Sequence, residues 1–214
     1  MNIERSITEE SIWESHLHSE YERGAREGVH VSDLTLCLRP AILSKKYSPK
    51  FETETLFRFT MGRAMEKSFF EVIANRLGGV TQELEVEKDG IVGHIDFASD
   101  VYDYECKLTW GREPKDNYLL RDFKTYWLDQ AGAYTYMRGR TKMKFIVCYI
   151  KPNPRVRCYE VEWTQEELEE LWQSFLSKKK YVEDKVSKGE MPMKTVERWL
   201  CNGCAYKEPC DSYA

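Results

Sequence analysis

The sequence lacks the features that mark membrane and secreted proteins. Its 214 residues contain no apolar run near the roughly 20 residues that span a bilayer, and MNIERSITEE has no apolar signal-peptide core. The seven cysteines are an odd number, which disfavours a framework made only of disulfides. We therefore expect a soluble cytoplasmic protein whose cysteines bind a metal or remain reduced thiols.

A general excess of basic residues is also missing. The formal net charge is −4, which argues against a protein that coats nucleic acid non-specifically. Two short basic stretches, at 138–144 and 178–180, are interpreted as solvated faces. Repeats and low-complexity segments are absent, and 42% hydrophobic residues suffice for a globular core.

Hydrophobic periodicity predicts an α/β fold with a mixed sheet between helices. A first helix follows a capping-box spacing of Ser6 and Glu9, and a last helix follows one of Thr164 and Glu167. Asp89-Gly90 predicts a hairpin turn. The other predicted helices cover residues 54–77 and 123–138. The predicted strands cover residues 80–87, 91–97, 101–109, 143–150 and 156–162, the last at a sheet edge.

Apolar residues at helical spacing are expected to face the core in the first two helices. In the first helix these are Ile12, Trp13, Leu17 and Tyr21. In the helix at 54–77 they are Leu56, Phe59, Ala64, Phe69, Phe70, Ile73 and Leu77.

The densest set of reactive side chains lies on the second and third predicted strands. Asp96 ends one strand, and Glu105 and Lys107 share a face of the next because one residue separates them. Adjacent strands lie about 4.8 Å apart, which brings Asp96 beside Glu105. Two carboxylates form a hard oxygen site suited to Mg²⁺ or Mn²⁺, and a lysine can orient a metal-bound water. The same residues also fit a charged strand face that meets only solvent.

Two further groups favour a site. Gly62-Arg63-Ala64-Met65-Glu66 puts a glutamate on the helix before the sheet, where it can supply a third oxygen ligand. Gln130 and Tyr134 share one face of the helix after the Glu-x-Lys strand, a pair suited to holding a phosphodiester or stacking on a base. Each residue alone fits an ordinary surface position; their combination in this order favours a nuclease-type site.

This order of motifs resembles the PD-(D/E)xK nuclease superfamily, specifically its RecB-like branch. That branch carries Gly-x-x-x-His or Glu, then Gly-x-x-Asp, Glu-x-Lys and Gln-x-x-x-Tyr. The resemblance implies a restriction-endonuclease-like core and a divalent metal ion, Mg²⁺ or Mn²⁺. Many members have histidine where this sequence has Glu66.

The resemblance also implies a role for each matching residue. Asp96, Glu105 and Lys107 would be the catalytic residues, and Gln130 and Tyr134 would position DNA. The implied metal ligands are Glu66, Asp96, Glu105 and the backbone carbonyl of Cys106.

Four of the cysteines have the spacing of a ligand set. Cys201, Cys204 and Cys210 lie within ten residues, and Cys37, in a loop before Pro40, is the natural fourth ligand. Four thiolates admit zinc or an iron–sulfur cluster, and the spacing alone favours zinc. The one-plus-three layout resembles the iron–sulfur subset of RecB-like nucleases, which implies a cluster, [4Fe–4S] rather than [2Fe–2S]. The other cysteines are expected to be small buried strand residues: Cys106, Cys148 and Cys158.

Three segments follow from this interpretation. Residues 1–36 would form an acidic helical arm, residues 37–190 a RecB-like nuclease core, and residues 191–214 a cysteine-rich segment that the cluster joins to the N-terminal part.

The resemblance is strongest to the stand-alone CRISPR-associated exonucleases. It implies metal-dependent hydrolysis of DNA, preferentially single-stranded and with 5′-to-3′ polarity, in prespacer processing with CRISPR adaptation proteins. Two alternatives stay open. One is a repair or viral recombination nuclease of the same fold, and the other is a Cys₄ zinc module that binds nucleic acid and keeps only a vestigial nuclease motif.

Overall fold

A mixed sheet lies between helices on both of its faces, which confirms the predicted α/β class. The computed structural model describes residues 7–21, 28–113, 125–196 and 198–213. Its strands are β1 (Val29–His30), β2 (Thr81–Lys88), β3 (Ile91–Ala98), β4 (Asp103–Thr109), β5 (Lys142–Tyr149) and β6 (Arg155–Glu162). Its helices are α1 (Ile7–Glu20), α2 (Val31–Thr35), α3 (Arg39–Leu43), α4 (Thr53–Leu77), α5 (Thr125–Met137), α6 (Gln165–Lys188), α7 (Arg198–Cys201) and α8 (Lys207–Asp211).

The strand order agrees with the sequence patterns. Strands β2 and β3 form the predicted hairpin, and both turn residues, Asp89 (φ 52°) and Gly90 (φ 70°), have the left-handed conformation that a type I′ turn needs. The apolar strand β5 runs parallel to β4 in the sheet interior, and β6 pairs antiparallel with β5 at the edge.

The ladder between β3 and β4 is short. Only Phe97 with Tyr104 and Ala98 with Asp103 are paired, and β1 takes up the other end of the same edge of β3. Beyond these pairs a side chain replaces the ladder. The backbone N–H of Cys106 donates to Oδ2 of Asp96 at 2.7 Å. The two strands therefore open at the position where the predicted carboxylates lie.

Helices cover both faces of the sheet. Helices α5 and α6 pack on one face with α2, and α4 packs on the other through Phe69, Phe70 and Ile73. Helix α6 begins at the predicted capping box, in which Thr164 Oγ1 accepts from the N–H of Glu167 at 3.1 Å. Among the described residues, no helix combines the length and the hydrophobicity needed to cross a membrane.

Helix α4 is less buried than its apolar pattern predicts. Leu56 is buried, but Phe59, Ala64 and Leu77 are exposed, so their predicted core positions are wrong. For Phe59 the reason is geometric, because this part of α4 borders an open cleft, whereas Phe69, Phe70 and Ile73 rest on the sheet.

Helix α1 shows a similar difference. Leu17 and Tyr21 pack against Leu56 of α4 as predicted, whereas Ile12 and Trp13 are exposed. Ser6 of the predicted capping box lies outside the described residues. The burial predicted for the strand cysteines is wrong for Cys158, which lies on the exposed edge strand β6, whereas Cys148 is buried and Cys106 half-buried.

The segment boundaries inferred from the sequence stay a prediction. In the structure, Val29, Val31 and Leu34 of the proposed N-terminal arm are buried in the main core.

Candidate active site

The predicted acidic residues and the lysine border one cleft of ≈740 Å³. Asp96 reaches it from β3, Glu105 and Lys107 from β4, and Glu66 from α4, and Gln130 of α5 lines the same space. The sheet opening and the helix that crosses it therefore bring these five side chains together.

Glu105 and Lys107 form a buried ion pair. The glutamate side chain is 2% exposed, and its Oε1 accepts from Lys107 Nζ at 2.5 Å. Its other oxygen, Oε2, is buried and has no hydrogen-bond partner among the described residues. A buried carboxylate oxygen without a donor is unfavourable, so Oε2 is suited to meet a cation.

The acidic groups of the cleft repel one another. Burial, then the charge of Glu105, raises the pKa of Asp96 well above its usual value. Burial also raises the pKa of Glu66, where the charges of Glu83 and Glu105 add to the effect and a hydrogen bond from Gln82 opposes it. Such a set of carboxylates is stabilised by a divalent cation that prefers oxygen ligands.

The donor set therefore fits Mg²⁺ or Mn²⁺. The fit rests on hard carboxylate oxygens, one of them the buried Oε2 of Glu105, which no described residue hydrogen-bonds. In the part of the chain that the structure describes, no three His, Cys, Asp or Glu side chains already stand in an arrangement that could hold a metal ion.

Lys107 is positioned by two partners. Besides Glu105, its Nζ donates to Oε1 of Gln130 at 3.1 Å. Burial acts to lower the pKa of Lys107, but the charges of Glu105 and Asp96 outweigh it, and the pKa is raised. The lysine is therefore a fixed cation on the floor of the cleft.

Gln130 is in turn held by Tyr134. Its Nε2 donates to the tyrosine hydroxyl at 2.9 Å, and the backbone N–H of His94 also hydrogen-bonds that hydroxyl. The tyrosine is 3% exposed, and a Cβ at Gly93 would lie 2.5 Å from its ring. The ring therefore has no free face for a base, which excludes the stacking alternative. The DNA-positioning role predicted for Gln130 and Tyr134 stays a prediction.

The Cys106 side chain lies in the apolar layer between β4 and α4. It packs in the cluster of Phe97, Tyr104 and Ile146, and burial, then the charge of Asp96, raises the pKa of its thiol. The side chain is thus an apolar neighbour of the site, as the strand alternation predicts. The metal-ligand role of its backbone carbonyl stays a prediction.

Sequence reasoning missed the aromatic and cationic groups at the mouth of the cleft. The guanidinium of Arg58 lies 5.4 Å from the ring centroid of Trp110, and that of Arg63 lies 4.6 Å from the ring of Tyr21. Phe59 stands exposed beside them. In the sequence, the one signal of this cluster was the spacing of Arg58 and Arg63 from Glu66 along helix α4.

The basic stretch at 138–144 has a structural explanation. Asp103 is fully buried, and Arg138 and Arg140 pair with it at 3.3 and 3.2 Å. Lys142 pairs with Glu162 on β6 at 3.2 Å. Arg138 and Arg140 thus compensate a buried acidic group, which corrects their interpretation as a solvated face, whereas Lys142 forms a surface pair.

The four predicted ligand cysteines border a second cavity, of ≈250 Å³. Cys37 lies between α2 and α3, Cys201 ends α7, Cys204 lies in the connection that follows, and Cys210 lies on α8. Burial, with smaller contributions from the other three thiols, raises the pKa of Cys204. The structure therefore brings together four cysteines from the two ends of the chain.

Sequence reasoning also missed Arg39, which lines the same cavity. Its side chain is 8% exposed and donates to the Pro192 carbonyl at 2.7 Å and to the carbonyl and Sγ of Cys210, each at 3.3 Å. Among the described residues, no carboxylate forms an ion pair with it. A buried cation beside four thiols fits an anionic metal–thiolate centre.

Comparisons of sequence identify no relative, since no protein-family model and no curated protein matches the chain. Comparisons of structure do find similar folds. The protein SSO0001 has a TM-score of 0.60 at 14% identity, over 98% of each chain. LHK-Exo, an alkaline exonuclease from Laribacter hongkongensis solved in complex with dAMP, has a TM-score of 0.51 at 13% identity, over 75% of this chain and 90% of that one. The predicted restriction-endonuclease-like fold is thereby confirmed.

Proposed function

We propose that this chain is a divalent-metal-dependent exonuclease acting on DNA. The observation that carries the proposal is the buried Oε2 of Glu105, which has no hydrogen-bond partner among the described residues and lies in one cleft with Asp96, Glu66 and Lys107. The fold shared with LHK-Exo supports it, because that protein is an exonuclease and was solved with a nucleotide.

Each residue has a defined task in this proposal. Asp96, Glu105 Oε2 and Glu66 would hold the metal ion together with the backbone carbonyl of Cys106. When bound, the ion supplies an activated water and neutralises charge on the phosphate. Gln130 and Glu105 fix the Lys107 ammonium, whose third N–H can orient the attacking water while its charge offsets developing negative charge.

Single-stranded DNA is the proposed substrate. Exposed aromatic and guanidinium groups line the cleft mouth, and these are the groups that hold unpaired nucleotides by stacking and by phosphate contacts. The 5′-to-3′ polarity and the role in CRISPR adaptation are carried over from the motif resemblance. The proposed role in CRISPR adaptation includes a partnership with adaptation proteins.

We also propose that Cys37, Cys201, Cys204 and Cys210 hold an iron–sulfur cluster, [4Fe–4S] rather than [2Fe–2S]. The shared cavity and the buried cation Arg39 support an anionic centre at this place. Iron and sulfide analysis of anaerobically purified protein, with its visible absorption, tests this. A colourless protein that contains one zinc ion per chain would show that the four cysteines bind zinc and not an iron–sulfur cluster.

A nuclease assay tests the main proposal. Anaerobically purified protein is incubated with single strands labelled at the 5′ or the 3′ end, with Mg²⁺, with Mn²⁺ or with EDTA. We expect degradation with either metal and none with EDTA, and the labelled end that is released first gives the polarity. Asp96→Asn should be inactive, whereas Asp100→Asn, which alters an exposed aspartate near the start of β4, should cut like wild type. Equal cutting by both variants would disprove the site.

A further inference from the structure

Helix α4 contains a glycine that the packing of the protein does not require. Two other glycines in regular elements are explained by close contacts: a Cβ at Gly93 would lie 2.5 Å from the Tyr134 ring, and one at Gly132 would lie 2.5 Å from Leu171. A Cβ at Gly62 would meet no atom of the described residues within 4 Å. Because glycine weakens a helix interior relative to alanine, the fold alone gives no reason for Gly62.

The open space over Gly62 is the candidate active-site cleft. Gly62 lines this cleft one helical turn before Glu66. The same cleft contains Glu105, whose buried Oε2 has no hydrogen-bond partner among the described residues. The space that the glycine leaves free is therefore continuous with the carboxylates, and both features indicate a ligand in the cleft.

Two stacked guanidinium groups flank this space on the same helix. Arg58, four residues before Gly62, lies over Trp110, and Arg63, the next residue, lies over Tyr21. Arg58 is also held by Glu54 at 2.6 Å. A guanidinium held over a ring keeps N–H groups for phosphate oxygens, the pairing that arginine makes best.

We propose that one DNA strand crosses helix α4 at Gly62, with its sugar–phosphate backbone against the bare helix between Arg58 and Arg63. A backbone can approach a helix this closely only where no side chain stands between them. A cleft of ≈740 Å³ has room for a few nucleotides of one strand. This inference rests on the proposed nuclease function and adds the path by which the strand reaches Glu105.

Substitution of the glycine separates stability from binding. Gly62→Ala should raise the melting temperature by roughly 2–4 °C, because alanine favours the helix and meets no neighbour. Gly62→Val should weaken the binding of a fluorescein-labelled oligothymidylate by roughly tenfold or more, since its carbon atoms occupy the strand's place. Binding is followed by anisotropy with Ca²⁺ in place of Mg²⁺. The control is Ala64→Val, which adds bulk to an exposed position of α4 outside the cleft and should bind like wild type.

Salt dependence tests the two arginines. Each arginine that contacts a phosphate contributes about 0.7 to the slope of log affinity against log salt for a single strand. Arg58→Gln and Arg63→Gln should each lower the slope by about that amount. Arg76→Gln removes the same charge from an exposed position near the end of α4 and should leave the slope unchanged.

The outcomes separate the strand path from the nuclease function. If Gly62→Val binds the oligothymidylate as tightly as wild type, or Ala64→Val is weakened equally, the path is wrong even when wild type degrades DNA. If wild type binds only a duplex, the single-strand assignment is wrong. If binding depends on Gly62 but neither Mg²⁺ nor Mn²⁺ supports cutting, the path stands and the nuclease function fails.

Discussion

The carboxylate cleft and the cysteine cavity each contain a cation shielded from solvent, and the two cations have opposite surroundings. Lys107 lies against Glu105 and near Asp96, so negative groups outnumber it. Arg39 lies against two carbonyls and a thiol, with no carboxylate paired to it among the described residues. The immediate surroundings of Lys107 are therefore rich in negative charge, and those of Arg39 are not.

This difference agrees with the two ions proposed above. A divalent cation would relieve the repulsion that raises the pKa values of Asp96 and Glu66. Deprotonated thiols around a metal centre would supply the anion that Arg39 lacks. The four predictions below test this contrast, beginning with the largest expected effect.

Substituting any one of three charged side chains in the cleft should abolish DNA hydrolysis without unfolding the protein. Asp96→Asn, Glu105→Gln and Lys107→Ala should each lower the rate of DNA hydrolysis at least about a hundredfold, because each removes a metal ligand or the fixed cation. In EDTA, Asp96→Asn should melt no lower than wild type, since it relieves repulsion and its amide oxygen can still accept from Cys106 N–H. Normal rates in all three variants would contradict the assignment.

Substituting one of the proposed ligand cysteines should first of all cause loss of the proposed cofactor. Cys201→Ser or Cys204→Ser should abolish the visible absorption of the cluster, and the loss of cofactor should lower thermal stability by several degrees. Cutting should weaken only indirectly. Cys158→Ser is the matched control, because this exposed cysteine lies on β6 and outside the cavity. Bleaching by the control, or full absorption in the ligand variants, would contradict the ligand set.

Arg39 should matter more in the loaded protein than in the stripped one. With the cofactor bound, Arg39→Gln leaves the thiolates without their cation, a change that costs about 3–5 kcal/mol when a buried pair is broken. In the stripped protein the same change removes an unpaired buried charge and should cost less. Chemical unfolding of both forms gives the two values. Equal losses would mean that Arg39 serves only to hold the Pro192 and Cys210 carbonyls.

Cys106 should affect stability more than cutting. Cys106→Ala removes a sulfur from the apolar layer between β4 and α4 and should cost about 1 kcal/mol of unfolding free energy. The rate of hydrolysis should change little because the proposed ligand is its backbone carbonyl. A large loss of rate at unchanged melting temperature would show that the thiol itself contacts the reacting groups.

The sequence predicts contacts that depend on local periodicity. One-residue spacing is enough to place Glu105 and Lys107 on one strand face, and both line the cleft. Hydrophobic periodicity does not predict burial where the neighbours of an element come from distant parts of the chain. Phe59 has a core-like spacing, yet it stands over a cleft whose existence depends on how α4 crosses the sheet.

Contacts between segments that are far apart in the sequence could not be predicted, because they also depend on how the elements pack. The i,i+4 pattern indicates that Gln130 and Tyr134 meet, but the partnership of Gln130 with Lys107 depends on how α5 packs against β4. In the sequence, Arg39 is an ordinary residue before a proline. Its role depends on its contact with Cys210, which lies far along the chain.

The contact between Arg39 and Cys210 joins positions 171 residues apart, which sets an order of events during biosynthesis. A ribosome adds roughly 5–20 residues per second, so on the order of ten to thirty seconds pass between the synthesis of the two sides of the cavity. A nascent chain that ends before Cys201 already contains every carboxylate of the cleft but only one of the four cysteines. Loading of the proposed cofactor would therefore follow translation of the proposed catalytic residues, and a chain that stalls in between would carry every cleft carboxylate beside an open cysteine site.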